Sequence, residues 1–453
     1  MSKPTPYPYQ AIGVNAIRKF NGRALLADEM GLGKSMQVLW YLEKADCQRA
    51  VIIVPASLKV NWQREARKIG LDATLGFGRS GHENFDWDST KILVLNYDIL
   101  KAWLPALLKW KPDLMVLDEC HYVQSRTAQR TKAARSLARK TDKLIAVSGT
   151  PLTNRPSELW SVLNMLDPTT YPTFGSFANR YCRPKLTPWG WDYSGAQNLK
   201  ELHTMLSNGC MIRRLKADVL KDLPKKSTHV QVLPLSDPKE YEKADKDFAN
   251  WLGEQDPEAL RRAMRAMAVT RLSQLKRLAG RLKLKPMLEY FDNLLASSDR
   301  KIVVSACHHE IIDALMEHFG ESAVKVDGRM DSKARDNSVR AFMGNKNIRV
   351  FVGQLQAAGV GLTLTVASDV YFAEMGWSPG DHTQMADRVH RIGQDRPCTN
   401  TYLVAEGTIE EDIAKLLQEK TGVVSSILDG EGEIGDSAIY TQLMEKLTGG
   451  FNA

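Results

Sequence analysis

The chain has 453 residues, 43% hydrophobic and 25% charged, which is too long for one ordinary domain and typical of two or three globular units. No apolar run approaches the ~20 residues of a membrane-spanning helix, and the polar start MSKPTPYPYQ has no signal-peptide core, so an intracellular protein with no membrane partner is expected. A net charge of +8 favours a polyanionic partner, and the six singly placed cysteines lack zinc spacing, so free thiols and no structural zinc are expected.

Strand-like and helix-like stretches alternate from residue 9 to about 166. Near-continuous apolar runs at Ala24–Ala27, Ala50–Pro55, Lys91–Asn96, Leu114–Asp118 and Lys143–Ser148 read as parallel strands covered on both faces. The stretch RALLADEMGLGKSMQV passes from the first strand through a loop with Gly31 and Gly33 into a helix opened by Lys34 and Ser35. That order suits a nucleoside triphosphate: backbone N–H groups face the anion, Lys34 reaches the β/γ-phosphates and Ser35 can ligate Mg²⁺. The strict G-x-x-x-x-G-K-[ST] pattern is broken at its first position by Asp28, and a glycine-rich turn before any helix would look similar. LMVLDECH ends a later strand in Asp118 and Glu119, an acidic pair suited to holding Mg²⁺ and activating water. The next strand ends in a tight turn, Ser148-Gly149-Thr150-Pro151, at the same sheet edge. No N-K-x-D is present, which disfavours a GTPase.

From Asp167 to about Lys285 the alternation stops. MIRRLKADVLKDLPKK is basic, and residues 259–283 carry Leu260, Met264, Met267, Leu272, Leu275, Ala279 and Leu282 at helical spacing among many arginines. Alternation resumes at 301–307, 323–328, 348–353, 368–374 and 399–406, in a second α/β unit without its own phosphate loop.

These stretches together resemble the Swi/Snf-like form of superfamily two helicases. LLADEMGLGKS, DECH and SGTPLTNRPSELW are similar to motifs I, II and III, GVGLTLT to motif V and QMADRVHRIGQ to motif VI. YFAEMGWSPG with YLVAEGTIEEDI resembles the branch containing annealing helicases and fork-remodelling translocases, and 408–420 with 426–431 resemble its closing helix. The resemblance implies an α/β fold of two RecA-like, doubly wound parallel-sheet lobes in tandem. Lobe one is expected at 1–166, helical protrusions and a basic linker at 167–285, lobe two at 286–431 and a tail at 432–453.

The resemblance implies that Gln10 reads the adenine edge and that Asp28, Glu29, Gly31, Leu32, Gly33, Lys34, Ser35 and Gln384 surround the nucleotide. Ser35, Asp118 and Glu119 would serve Mg²⁺, Glu119 would also activate water, and Arg391 with Arg388 would stabilise the transition state. His121, Ser148, Thr150, Gly359 and Gly361 would couple hydrolysis to movement. Ser57, Lys59, Tyr97, Gly328, Arg335 and Gln354 would contact the DNA backbone, although Gln354 stands where a Ser or Thr is usual. Trp62 reads as core packing. The expected activity is that of a monomeric, ATP- and Mg²⁺-dependent double-stranded DNA translocase. An RNA or single-strand helicase and an idle nucleic-acid- or partner-binding module are the alternatives. The small size further gives the expectation of a cytoplasmic or nucleoid protein of bacterial or bacterial-virus origin.

Overall fold

The computed structural model describes residues 3–45, 47–151, 155–187, 190–253, 260–359, 361–414 and 417, the side chains of 248–253, 260–269 and 271 excepted. The described residues divide into two compact units, 3–222 and 223–417.

The first unit is built on strands β1 (Arg23–Leu26), β2 (Ala50–Val54), β3 (Thr74–Leu75), β4 (Ile92–Asn96), β5 (Leu114–Asp118) and β6 (Lys143–Val147). A small antiparallel hairpin, β7 (Lys185–Thr187) and β8 (Gly190–Asp192), stands apart, and β9 (Met211–Ile212) rejoins the main sheet. That sheet has the order β3-β4-β2-β5-β6-β1-β9, parallel throughout. Every residue of β2, β4 and β5 is buried, the condition of strands covered by helices on both faces.

The second unit holds β10 (Lys226–Leu233), β11 (Ile302–Ala306), β12 (Ala323–Val326), β13 (Val350–Gln354), β14 (Asp369–Phe372) and β15 (Cys398–Ala405). The order is β10-β15-β14-β11-β13-β12, again all parallel. One core, with Ile302, Val304, Ile312 and Phe291, covers one set of alternating side chains; another, with Val303, Phe351, Phe372 and Val389, covers the other set. Two doubly wound parallel-sheet lobes in tandem are therefore present, as the sequence leads one to expect.

The stretch 167–285 is not a third body. Phe177, Tyr181, Leu199, Leu202 and Leu206 lie in the same core as Trp160 and Leu163 of the first unit. Tyr241, Leu272, Leu275, Ala279 and Leu282 pack on Val404, Ile409 and Ile413 of the second. Apolar faces of these helices need a sheet-backed core to bury against, and each half finds the nearer one. The long helix expected at 259–283 is observed as Leu260–Leu282. Residues 409–414 are helical, whereas the expected continuation through 418–431 and the tail lie outside the described residues.

Candidate nucleotide site

The order β5-β6-β1 at the centre of the first sheet decides which loops meet. Because the strands are parallel, their C-terminal ends emerge on one edge. Asp118 and Glu119 follow β5, Ser148–Thr150 follow β6, and the loop Asp28–Gly33 follows β1. Residues about 120 positions apart in the chain become neighbours at this edge.

The loop after β1 turns through Gly31 and Gly33, with φ of 84° and 71°, values that a side chain would strain. Gly33 caps the helix Lys34–Lys44, so the unbonded N–H groups of its first turn face the loop. The Lys34 ammonium donates to the carbonyls of Asp28 (2.8 Å) and Glu29 (3.3 Å). Burial pushes its pKa down to about 8, against the pull of Glu119 and Asp28. Gly149 is needed here: a Cβ on it would meet Met30 Cγ at 2.3 Å and Lys34 Nζ at 3.1 Å.

Glu119 has φ 49° and ψ 57°, the left-handed region, unusual for a residue with a side chain. Ser148 Oγ donates to Glu119 Oε2 at 2.9 Å and accepts from the Thr150 amide at 3.2 Å. His121 Nδ1 stands 3.4 Å from both Glu119 Oε2 and Ser148 Oγ. His121, Ser148 and Thr150, expected as coupling residues, thus form one cluster, with His121 and Ser148 both at Glu119 and Thr150 joined through Ser148. Burial and the neighbouring Glu119 charge raise the Asp118 pKa. Burial acts the same way on Glu119, but His121, Lys34 and the Ser148 hydroxyl outweigh it and hold that carboxyl below its usual range.

Two acids expected at the nucleotide turn elsewhere. Asp28 is fully buried, and its carboxylate accepts from Arg214 at both oxygens and from Gln37 Nε2 at 2.9 Å. Glu29 Oε2 accepts the Lys216 amide at 2.6 Å. Their role is to hold the basic segment after β9 against the phosphate loop. Arg213 joins in, donating to the carbonyls of Ala27 (2.8 Å) and Gly149 (3.2 Å). Gln37 carries no motif that would reveal it. Gln10, expected at the adenine, has its amide bonded at both ends, accepting from the Tyr7 amide (2.9 Å) and donating to the Leu32 carbonyl (3.1 Å).

The residues expected at the DNA backbone are mixed. Ser57 is half-buried. Lys59 is buried, donating to the Gly76 carbonyl at 2.9 Å beneath the Phe77 ring, and Tyr97 is buried with its hydroxyl on the Asp118 carbonyl. In this structure both act as internal braces, and a phosphate would reach either one only by replacing these bonds. In the second unit the Gly328 amide donates to Gln354 Oε1 at 2.8 Å, and Arg335 donates to the carbonyls of Met330 and Asp327. Arg388 and Arg391 both donate to the Leu362 carbonyl, at 3.3 and 2.9 Å, and Arg388 also to the Gln384 carbonyl. Gly359 and the left-handed Gly361 flank that segment.

A magnesium nucleotide fits the first-unit edge. Among the described residues no group of three or more His, Cys, Asp and Glu side chains could hold a metal alone. Mg²⁺ in such sites takes one or two carboxylates, with phosphates and water completing its octahedron. Asp118, with Ser35 at the helix start, offers that partial set. The Asp118–Glu119 pair also places more negative charge in a buried space than Lys34 alone offsets.

Comparison with known proteins bears on this site. The family model described as the SNF2-related domain matches residues 9–276, and the helicase conserved C-terminal domain matches 284–393. The chain is 32% identical over 460 residues to the SWI/SNF-related matrix-associated actin-dependent regulator of chromatin subfamily A-like protein 1 of Xenopus tropicalis, covering 97% of this chain and 46% of that protein. It is 33% identical over 458 residues to the DNA annealing helicase and endonuclease ZRANB3 of Mus musculus, covering 94% of this chain and 41% of that protein. The chain spans less than half the length of these two relatives. The SWI2/SNF2 ATPase core of Sulfolobus solfataricus in complex with dsDNA aligns over 99% of this chain and 98% of that one, at 24% identity and a TM-score of 0.44. These relatives overturn the expectation of a cytoplasmic or nucleoid, bacterial or bacterial-virus protein: those from Xenopus, mouse, human and Caenorhabditis elegans are animal proteins, regulators of chromatin or DNA annealing helicases by name. The chain belongs to the SNF2-related family of helicase-like ATPases.

Proposed function

We propose that this protein is an ATP-dependent translocase on double-stranded DNA. The observation that carries the ATPase half is the edge where the Lys34 loop, Asp118 and Glu119 meet, with Ser148 bonded to Glu119. Bound Mg²⁺ would neutralise charge on the β/γ-phosphates, with Ser35 and Asp118 as its protein ligands. Lys34 and the amides opening its helix hold the phosphates. Glu119, kept ionised by its neighbours, orients the attacking water and takes its proton. Ser148 and His121 sense that proton, because both contact the same carboxylate. By motif position, Arg388 and Arg391 are assigned to stabilising charge in the transition state.

The DNA half is supported by the net charge of +8 and by relatives whose names include DNA annealing helicase. Contacts to phosphates predict binding that weakens with salt and reads little sequence. The test is ATP turnover in buffer alone, with single-stranded DNA, with duplex DNA and with duplex RNA. Duplex DNA should stimulate most. Turnover that duplex DNA raises no further than buffer would overturn the proposal.

A further inference from the structure

Asp118 is held by two aromatic side chains from the outer half of the first sheet. Trp62, on the helix Lys59–Lys68 that follows β2, donates its indole N–H to Asp118 Oδ2 at 2.6 Å. Tyr97, just beyond β4, donates its hydroxyl to the Asp118 carbonyl at 2.7 Å. The Glu119 amide donates to the remaining oxygen, Oδ1, at 3.0 Å. Trp62 is 1% exposed and Tyr97 2%, so water does not compete for these bonds. Trp103 and Trp110, which share a core with Tyr97, send their N–H groups to backbone carbonyls, as space-filling tryptophans commonly do. Trp62 instead selects an ionisable group at the nucleotide edge. The Tyr97 ring also stacks on Tyr122, 5.3 Å between centroids, and Tyr122 lies 5.1 Å from His121. Tyr97 therefore touches the surroundings of both acids.

We propose that Trp62 and Tyr97 are positioning residues for the divalent cation, fixing the Asp118 carboxylate and the peptide behind it in the orientation the metal requires. An ionised carboxylate offers about four acceptor sites, and the indole and amide occupy one on each oxygen. The carboxylate is left with one side of each oxygen to offer and no freedom to rotate. Partners of a metal-ligating group act in this way elsewhere, and their loss commonly costs ~10–100-fold in metal affinity or activity. The inference rests on Asp118 being the magnesium carboxylate.

The test uses the full chain with Trp62→Phe, which keeps an aromatic ring and removes the N–H, and Tyr97→Phe, which removes one oxygen. Binding of a fluorescent ATP analogue is titrated without metal and then at rising Mg²⁺, with ATP turnover followed in parallel. Metal-free binding should match wild type, while the Mg²⁺ midpoint should rise about tenfold for Trp62→Phe and by less for Tyr97→Phe. Excess Mg²⁺ should restore turnover. A packing role alone would lower the melting temperature and leave the midpoint in place, and that result would overturn the proposal. Should Trp62→Phe fail to fold, an unchanged midpoint in Tyr97→Phe overturns it. Asp118→Asn separates the two claims: if it does not move the midpoint, the metal assignment itself is wrong.

Discussion

Glu119 and Asp28 are acids of the same edge with opposite duties. Glu119→Gln keeps the shape of the side chain and removes the base. ATP turnover should fall by ~10²–10⁴-fold with nucleotide binding retained, read by steady-state hydrolysis beside a fluorescent nucleotide titration. Asp28 is engaged within the fold, by Arg214 and Gln37. Arg214→Met would leave its carboxylate buried without its cation, at a cost of about 3–5 kcal/mol in unfolding by denaturant. The sequence displays Asp28 as a flaw in a phosphate loop, because its partner lies 186 residues away and no local pattern links them. Lys34, Ser35, Asp118 and Glu119 are legible because phosphate and metal chemistry dictates their type and their place at strand ends. Trp62 is only half legible: its burial follows from its type, but its bond to Asp118 depends on a helix packing beside a strand that comes later in the chain.

At the scale of elements, the buried pair Lys283–Glu410 closes the second unit. Lys283 Nζ lies 2.6 and 2.8 Å from the Glu410 oxygens and donates to the Leu403 carbonyl at 2.6 Å, joining a helix start, β15 and the turn beyond it. Both side chains are inaccessible to water. Lys283→Met should destabilise by about 3–5 kcal/mol, and the double change Lys283→Met with Glu410→Leu should recover most of that loss, because well-packed apolar groups commonly match a buried ion pair. Chemical denaturation of the three proteins decides it. The long apolar strands of both sheets can be placed from sequence to within a residue or two, since burial on both faces forces the run. β9 escapes because two residues carry no pattern. β10 escapes because, at the edge of its sheet, it is exposed along most of its length and has no apolar run to betray it.

For the whole molecule, acid should act on the second unit through His382. Its ring is buried in a cluster with Phe372 and Tyr402, and its Nε2 accepts the Gly376 amide at 2.8 Å, which leaves the proton on Nδ1. Burial, with Lys276 nearby, lowers its pKa from 6.5 to about 4. Between those values the unfolded chain binds the proton and the folded one does not. Stability therefore falls as pH drops from 6.5 toward 4, by on the order of 3 kcal/mol. His382→Leu should flatten that part of a melting-temperature profile taken across the window. The division into two lobes is legible in the alternation of strand and helix, whereas the division of the middle segment between them is not, because short amphipathic helices do not announce which core they join. Finally, β9 runs beside β1, and Arg213, Arg214 and Lys216 are fastened to Ala27, Asp28 and Glu29. Tension on the backbone beyond Lys216 is therefore delivered to the phosphate loop before it reaches any other part of the first sheet. A pull on that stretch of chain becomes a mechanical input to the lysine that grips the nucleotide.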